Sequence, residues 1–230
     1  MGDIHFKNSD ESDPSVPPVS RRELLAWAMY DFANSGYTTV VLTTIFNAYF
    51  VGVVAGGSVS PGMSTLLWTS AVGIANAAVL ISAPLIGAVA DHRAAKKKFL
   101  LVATCGCVCF TAFLSLTGPG DIRLAMALII FSGVLFYTGE NLIAAFLPEI
   151  ASQENMGRIS GYGWSLGYLG GLLVLAICLA YISWAQGHGH TSAQSVPGTM
   201  LIVAAAYALA TVPTFVWLTE RAKPFPGARL

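Results

Sequence analysis

The chain has 230 residues, 55% hydrophobic and only 10% charged, and its 12 basic and 12 acidic residues cancel to a formal net charge of zero. Mean hydropathy is +0.65. About a quarter of the residues in an ordinary globular domain are charged, so this composition excludes a soluble fold, and few residues remain outside the apolar segments to build a separate soluble domain.

Residues 1–22 contain Asp10-Glu11-Ser12-Asp13-Pro14 and Pro17-Pro18 and read as a disordered cytoplasmic tail. The tail is acidic and no small-residue cleavage site follows it, so it is not expected to be a signal peptide and the first span is expected to stay uncleaved. Six segments then follow, each long enough for the roughly 20 apolar residues that cross a bilayer: 24–51, 68–90, 99–117, 124–147, 160–184 and 199–218. The expected fold is an all-α integral membrane domain of six transmembrane helices over 23–220, with 221–230 a second cytoplasmic tail.

Basic residues are enriched beside the cytoplasmic ends of membrane helices. Lys7, Arg21 and Arg22 precede the first span, Arg93, Lys96, Lys97 and Lys98 follow the second, Arg158 follows the fourth, and Arg221, Lys223 and Arg229 follow the sixth. The alternate links hold only Arg123. Both termini are therefore expected in the cytoplasm, as an even number of crossings requires, in a multi-pass protein of the cell membrane. Cys105, Cys107, Cys109 and Cys178 all fall within spans and read as packing residues.

A charge inside a span costs about 2.5–3.5 kcal/mol on insertion scales and usually faces a cavity or a partner. Asp31 and Glu140 are such charges. Asp31, Asn34 and Thr38 lie on one helix stripe, overlapped by Tyr30, Asn34 and Tyr37, while Tyr137 and Glu140 share a face of span four with Asn141 beside it. The two spans run in opposite directions. At about 1.5 Å per residue both acids lie roughly 10 Å from the cytoplasmic edge, which points to one shared site for a small polar solute or a coupling proton. The alternatives are an interfacial Asp31 paired with Arg21 or Arg22, and a structural ion pair or buried acid at Glu140. Asn76 reads as inter-helix glue. In span five Gly163, Gly167 and Gly171 recur every four residues, flanked by Gly161 and Gly170. That spacing permits close helix approach in lipid, for packing or for a sliding surface.

Other chemistries are weakly supported. Gly163-Trp164-Ser165-Leu166-Gly167 has the spelling of a nucleophile elbow but sits in a membrane helix, with no histidine in any span. His188-Gly189-His190 lacks the further ligands a zinc site needs. Phosphate-binding fingerprints are absent, and the basic cluster Arg93 to Lys98 is short and sits at the membrane surface. Neither an enzyme, a metal or cofactor, nor a nucleic-acid partner is expected.

Gly87-Ala88-Val89-Ala90-Asp91-His92-Arg93-Ala94-Ala95-Lys96-Lys97 resembles the signature loop between the second and third helices of the major facilitator superfamily, with His92 in place of an arginine, Ala94 in place of a glycine and Ala95 in place of a basic residue. Three further stretches, 26–35 around Tyr30-Asp31-Phe32, 141–150 around Leu147-Pro148-Glu149, and 157–171 from Gly157-Arg158 to Gly170-Gly171, are similar to one branch of it: the fungal vacuolar amino-acid effluxers linked to autophagy, and their bacterial relatives. The resemblance implies the N-terminal half of a twelve-helix fold, a 3+3 inverted repeat, ending where the central loop would begin. It implies a secondary transporter, amino acids leading as substrate, working by alternating access between two halves, with Asp31, Asn34, Tyr37, Tyr137, Glu140 and Asn141 at the substrate or proton site. It further implies a cytoplasmic gate of Gly87, Asp91, Arg93, Lys96 and Lys97, joined by Arg158, with Asp91 meeting the positive end of a helix in the other half. The expected partners are the bilayer, a small-molecule substrate and a second six-helix half, as a separate chain or a self-dimer. A non-transporting scaffold or regulatory subunit, and a truncated remnant, are the alternatives.

Overall fold

The computed structural model describes residues 19–221. The predicted tails therefore lie largely outside the described residues. Among the described residues are six helices long and apolar enough to cross a membrane: α1 (Arg21–Val54), α2 (Pro61–His92), α3 (Lys96–Leu116), α4 (Ile122–Ile150), α5 (Met156–Gly187) and α6 (Ser192–Trp217). Most run several residues past the apolar segments, because polar caps sit outside the hydrophobic window. Ser60 Oγ accepts from the Met63 amide and Pro61 occupies the first turn of α2. A Thr191–Gln194 capping box opens α6.

Two helices are irregular for identifiable reasons. α1 is regular to Tyr37, then widens into π-helical turns over Thr38–Thr43 and Phe50–Val54. Thr43 Oγ1 donates to the carbonyls of Thr39 (2.9 Å) and Thr38 (3.1 Å), and Thr44 Oγ1 also donates to Thr39. These hydroxyls compete for the carbonyls that a regular ladder would use. Wide turns of this kind occur often at functional sites. In α4 the regular helix stops at Ala144, and a short turn, Leu147–Ile150, carries Pro148 in its first turn.

Membrane helices must pack without water to drive them together, and here the packing has a symmetry. α1 lies on α5 and α6, α4 lies on α2 and α3, and α3 meets α6. Exchanging α1 with α4, α2 with α5, and α3 with α6 leaves these pairings unchanged. The two triplets run in opposite directions, so the exchange is the 3+3 inverted repeat of a half major-facilitator fold. One core cluster contains Tyr37, Phe46, Phe50, Trp68, Phe136 and Met200; the other, at the end where residues 19 and 221 lie, contains Trp27, Tyr30, Leu100, Phe146 and Leu218. α2 is the least buried helix.

The α2–α3 turn contains Ala94 at φ +46°, the one non-glycine residue with positive φ among those described. It stands where the resembling loop has glycine. A left-handed conformation costs an L-residue roughly 1–2 kcal/mol. Ala94→Gly is therefore expected to stabilise the chain by about 1 kcal/mol, read as a higher midpoint of thermal unfolding in detergent; a lower midpoint would contradict the turn conformation.

Candidate functional site

The site begins with the register of α1 against α4. Trp27 Nε1 donates to the Ile143 carbonyl at 2.9 Å. Tyr30 lies against Gly139, where an added Cβ would come within 2.5 Å of the phenol oxygen. The Tyr37 and Ser132 hydroxyls bond at 2.8 Å. These antiparallel pairs put Asp31 level with Gly139 and Glu140, the matched depth that residue counting predicts.

Both acids face open space. A cavity of about 440 Å³ is lined by Asp31, Asn34, Ser35, Thr38, Thr39 and Glu140, and on the α5 side by Trp164, Tyr168, Gly171 and Leu172. A cleft of about 580 Å³ between α2 and α4 is lined by Asn76, Gly87, Asp91, Lys96, Tyr137, Glu140 and Asn141, among others. Glu140 thus lies on the wall of both, and is close enough to Asp31 for their charges to interact. Neither carboxylate has a salt bridge among the described residues; in particular Asp31 is not paired with Arg21 or Arg22. Asn76 donates to the Val72 carbonyl of its own helix at 2.9 Å, which ties it to α2 rather than across to a neighbour.

The position of Asp31 is set by α5. An added Cβ on Gly167 would lie 2.8 Å from both Asp31 Oδ2 and Ser35 Oγ, one on Gly163 2.6 Å from the Trp27 ring, and one on Gly171 2.8 Å from Thr39 Oγ1. The glycine stripe lets α1 and α5 approach until the polar stripe of α1 borders the cavity.

Not every expected residue reaches it. Tyr37 is fully buried, stacked on Phe136 with ring centroids 4.7 Å apart and its hydroxyl held by Ser132, so it lines neither cavity. The Asp31 and Tyr30/Tyr37 stripes differ by one residue, a turn of about 100°, and only the Asp31 stripe faces the opening. Several members of the site give no sign in the sequence. Tyr207 of α6 donates to Asn34 Oδ1 at 2.7 Å, and the Tyr30 hydroxyl bonds Thr104 of α3 at 2.9 Å. Trp164 and Tyr168, four residues apart on the helix face beside the glycine stripe, are the one pair that periodicity could have flagged.

At the end where residues 19 and 221 lie, an ionic network joins four helices, α1 to α4, and the segment that follows α6. Lys96 Nζ is 2.9 Å from Asp91 and 2.8 Å from Glu149. Glu149 Oε2 accepts from the Arg221 amide at 2.8 Å. The Arg221 guanidinium grips Glu23 through both nitrogens at 2.6 and 2.8 Å, and the Thr219 amide donates to the same carboxylate at 2.9 Å. Glu220 accepts from the amides of Lys96 and Lys97 at 2.7 and 3.2 Å, an acid on the N-terminus of α3 where the helix dipole favours it. Lys97 Nζ donates to the Leu218 carbonyl. Arg93 is exposed, and Arg158 bonds Asn155 at 2.9 Å instead of joining the cluster. Arg21 and Arg22 open α1 and are exposed, while Arg221 is held against α1 and α4 by Glu23 and Glu149.

Ser165 lies inside α5, donating to the Gly161 carbonyl at 2.8 Å, which is not the strand-to-helix turn of a nucleophile elbow. Gly189 takes φ +85° to end α5 beside His188, whose Nδ1 lies 2.8 Å from the Trp184 carbonyl. Among the described residues no group of three or more metal-ligating side chains occurs.

The chain is 29% identical over 199 residues to an uncharacterized MFS-type transporter, YxiO, of Bacillus subtilis (strain 168), a match covering 85% of this chain and 46% of that protein. It is 35% identical over 100 residues to autophagy-related protein 22 of Yarrowia lipolytica (strain CLIB 122 / E 150), covering 43% of this chain and 16% of that one. The chain thus matches less than half the length of either relative. No solved structure matches it significantly. Residues 52–228 match the family model described as vacuole effluxer Atg22 like. With its six apolar helices arranged as a half major-facilitator bundle, the chain is a multi-pass membrane protein belonging to the vacuole effluxer Atg22-like family of the major facilitator superfamily.

Proposed function

We propose that this chain is one six-helix half of a secondary transporter that moves a small organic solute by alternating access, with amino acids as the leading substrate class and a proton as the coupling ion. A second six-helix half completes it. The observation that carries this reading is that Asp31 and Glu140 share one cavity wall without ion-pair partners among the described residues. A scaffold has no use for two acids that cost several kcal/mol to insert. Both termini lie in the cytoplasm of a cell-membrane protein, and the Asp91–Lys96–Glu149 cluster closes the cytoplasmic side. The names of the relatives, an MFS-type transporter and an autophagy-related protein, support the class and not the solute.

The test is amino-acid counterflow in vesicles containing the chain and whatever partner copurifies with it. Asp31→Asn and Glu140→Gln are each expected to reduce flux at least about tenfold, the scale of one lost charged contact, while the protein stays monodisperse. Unchanged flux in both variants would reject the site.

A further inference from the structure

α3 begins without a cap of its own. Its N-cap is Ala95, whose methyl group has nothing to offer the orphan amides of the first turn, and no acid stands in that turn. Instead Lys96, Lys97 and Lys98 open the helix, three positive charges at the end where the dipole disfavours them. The turn that leads into it is strained as well, with Ala94 at φ +46°. The missing acceptor arrives from 124 residues away. Glu220 Oε1 takes the Lys96 amide at 2.7 Å and Oε2 takes the Lys97 amide at 3.2 Å.

The segment that carries Glu220 is extended chain. α6 ends at Trp217, and Leu218 turns to φ −71°, ψ 127°. Of residues 218–221 only Leu218 is buried. The rest of the attachment is polar: the Thr219 amide and the Arg221 guanidinium on Glu23, the Arg221 amide on Glu149, and Lys97 Nζ on the Leu218 carbonyl. These contacts close on one another. Arg221 joins Glu23 to Glu149, and Lys96 joins Glu149 to Glu220. One contact cannot break alone without leaving a charge unmatched, so the set holds or parts together. With little apolar surface beneath it, such a segment belongs to the low-stability end of a fold.

We infer that residues 218–221 are a releasable strap that caps α3 from across the bundle, so that docking of the strap and folding of the first turn of α3 are one two-state event. With the strap down, α3 starts at Lys96, and the Lys96 ammonium ties Asp91 of α2 to Glu149 of α4. With the strap lifted, the Lys96 and Lys97 amides lose their acceptor, the three lysines repel one another, and the first turn unwinds. Lys96 then lets go of Asp91 and Glu149. The strap thereby makes the ends of α2 and α3 answer to movement of the segment that leaves α6. The inference stands whether or not the chain transports a solute.

The experiment is limited trypsin digestion and amide hydrogen exchange on the full chain in lipid nanodiscs. Cleavage after Arg221 reports the strap, and cleavage after Lys97 and Lys98, with exchange over residues 96–99, reports the first turn of α3. Arg158 is the control, exposed and bonded to Asn155 outside the network. Glu220→Ala is expected to speed cleavage after Arg221 about tenfold or more, the scale of a lost hydrogen bond to a charged group, and to speed the α3 signals by a similar factor. Cleavage after Arg158 and exchange in the middle of α4 should not change. Glu220→Gln, which keeps an acceptor and loses the charge, should fall between the alanine variant and the parent. The parent in about 1 M salt, where the Debye length is about 3 Å, should shift in the same direction, and these last two keep the test on a folded bundle if the alanine variant unfolds. Faster cleavage after Arg221 with α3 unchanged would make the segment a plain tail and overturn the inference. Faster exchange in α3 with Arg221 still protected would also overturn it, because the cap and the strap would then be separate. So would no change in either signal.

Discussion

Gly170→Leu is expected to eliminate the folded bundle. A Cβ at this position would run into the backbone carbonyl and ring of Phe32 on α1. A carbonyl held in a helix cannot rotate away, so α1 and α5 would have to separate along their whole contact, where Gly163 lies on Trp27, Gly167 on Asp31 and Ser35, and Gly171 on Thr39. Overpacking by a single methyl costs about 1–3 kcal/mol. Gly170→Ala should therefore lower stability by about 2 kcal/mol, and leucine should leave no monodisperse peak in fluorescence-detected size exclusion. Gly73 is the control. It lies inside α2 with nothing within 4 Å of an added Cβ, so Gly73→Ala should gain up to about 1 kcal/mol from helix propensity alone. A stable Gly170→Leu would mean that α1 and α5 do not touch as described. Because the same contact sets Trp164 and Tyr168 beside Asp31, the alanine variant is also expected to weaken solute binding.

The six helices and the two acids were legible in the sequence for the same reason: a bilayer permits few uses for polar groups. An apolar run of some 20 residues has one destination, and a carboxylate inside it has only a cavity or a partner. Counting residues from the ends of the spans placed Asp31 and Glu140 at one level, and the pairs Trp27–Ile143 and Tyr30–Gly139 agree with that count. The rest depended on tertiary order. Tyr207 is one tyrosine in an apolar helix, and nothing local says that it reaches Asn34, 173 residues earlier. Trp164 and Tyr168 read as readily as lipid-facing aromatics. Tyr37 was placed in the site because neighbouring helix stripes cannot be told apart before the facing helices are known. Nothing local shows that Glu23 meets Arg221 or that Glu149 meets Lys96, because each pair is far apart in sequence. Arg158, expected to join the gate, stays outside the network and bonds Asn155.

Lys96 should be the most sensitive residue of that network. It is 9% exposed, and its ammonium bridges Asp91, whose side chain is 59% exposed, and Glu149, at 14%. An exposed ion pair contributes roughly 0–1 kcal/mol, so the Asp91 arm is weak on its own. Removing one partner of a buried pair is a different matter, because the remaining charge keeps its desolvation cost and loses its compensation. Lys96→Met is thus expected to destabilise the chain by about 3 kcal/mol, nearly all of it through Glu149. The double variant Lys96→Met/Glu149→Met removes both charges and should recover much of that loss, since matched apolar replacements of a buried pair are often neutral. Recovery should stop short of the parent, because Glu149 also accepts from the Arg221 amide. Asp91→Asn should shift the unfolding midpoint little. This ordering, with Lys96→Met worst, the double variant intermediate and Asp91→Asn near the parent, separates a buried strut from a surface latch. If Asp91→Asn proved the most damaging of the three, the exposed pair would carry the closure and Glu149 would be incidental.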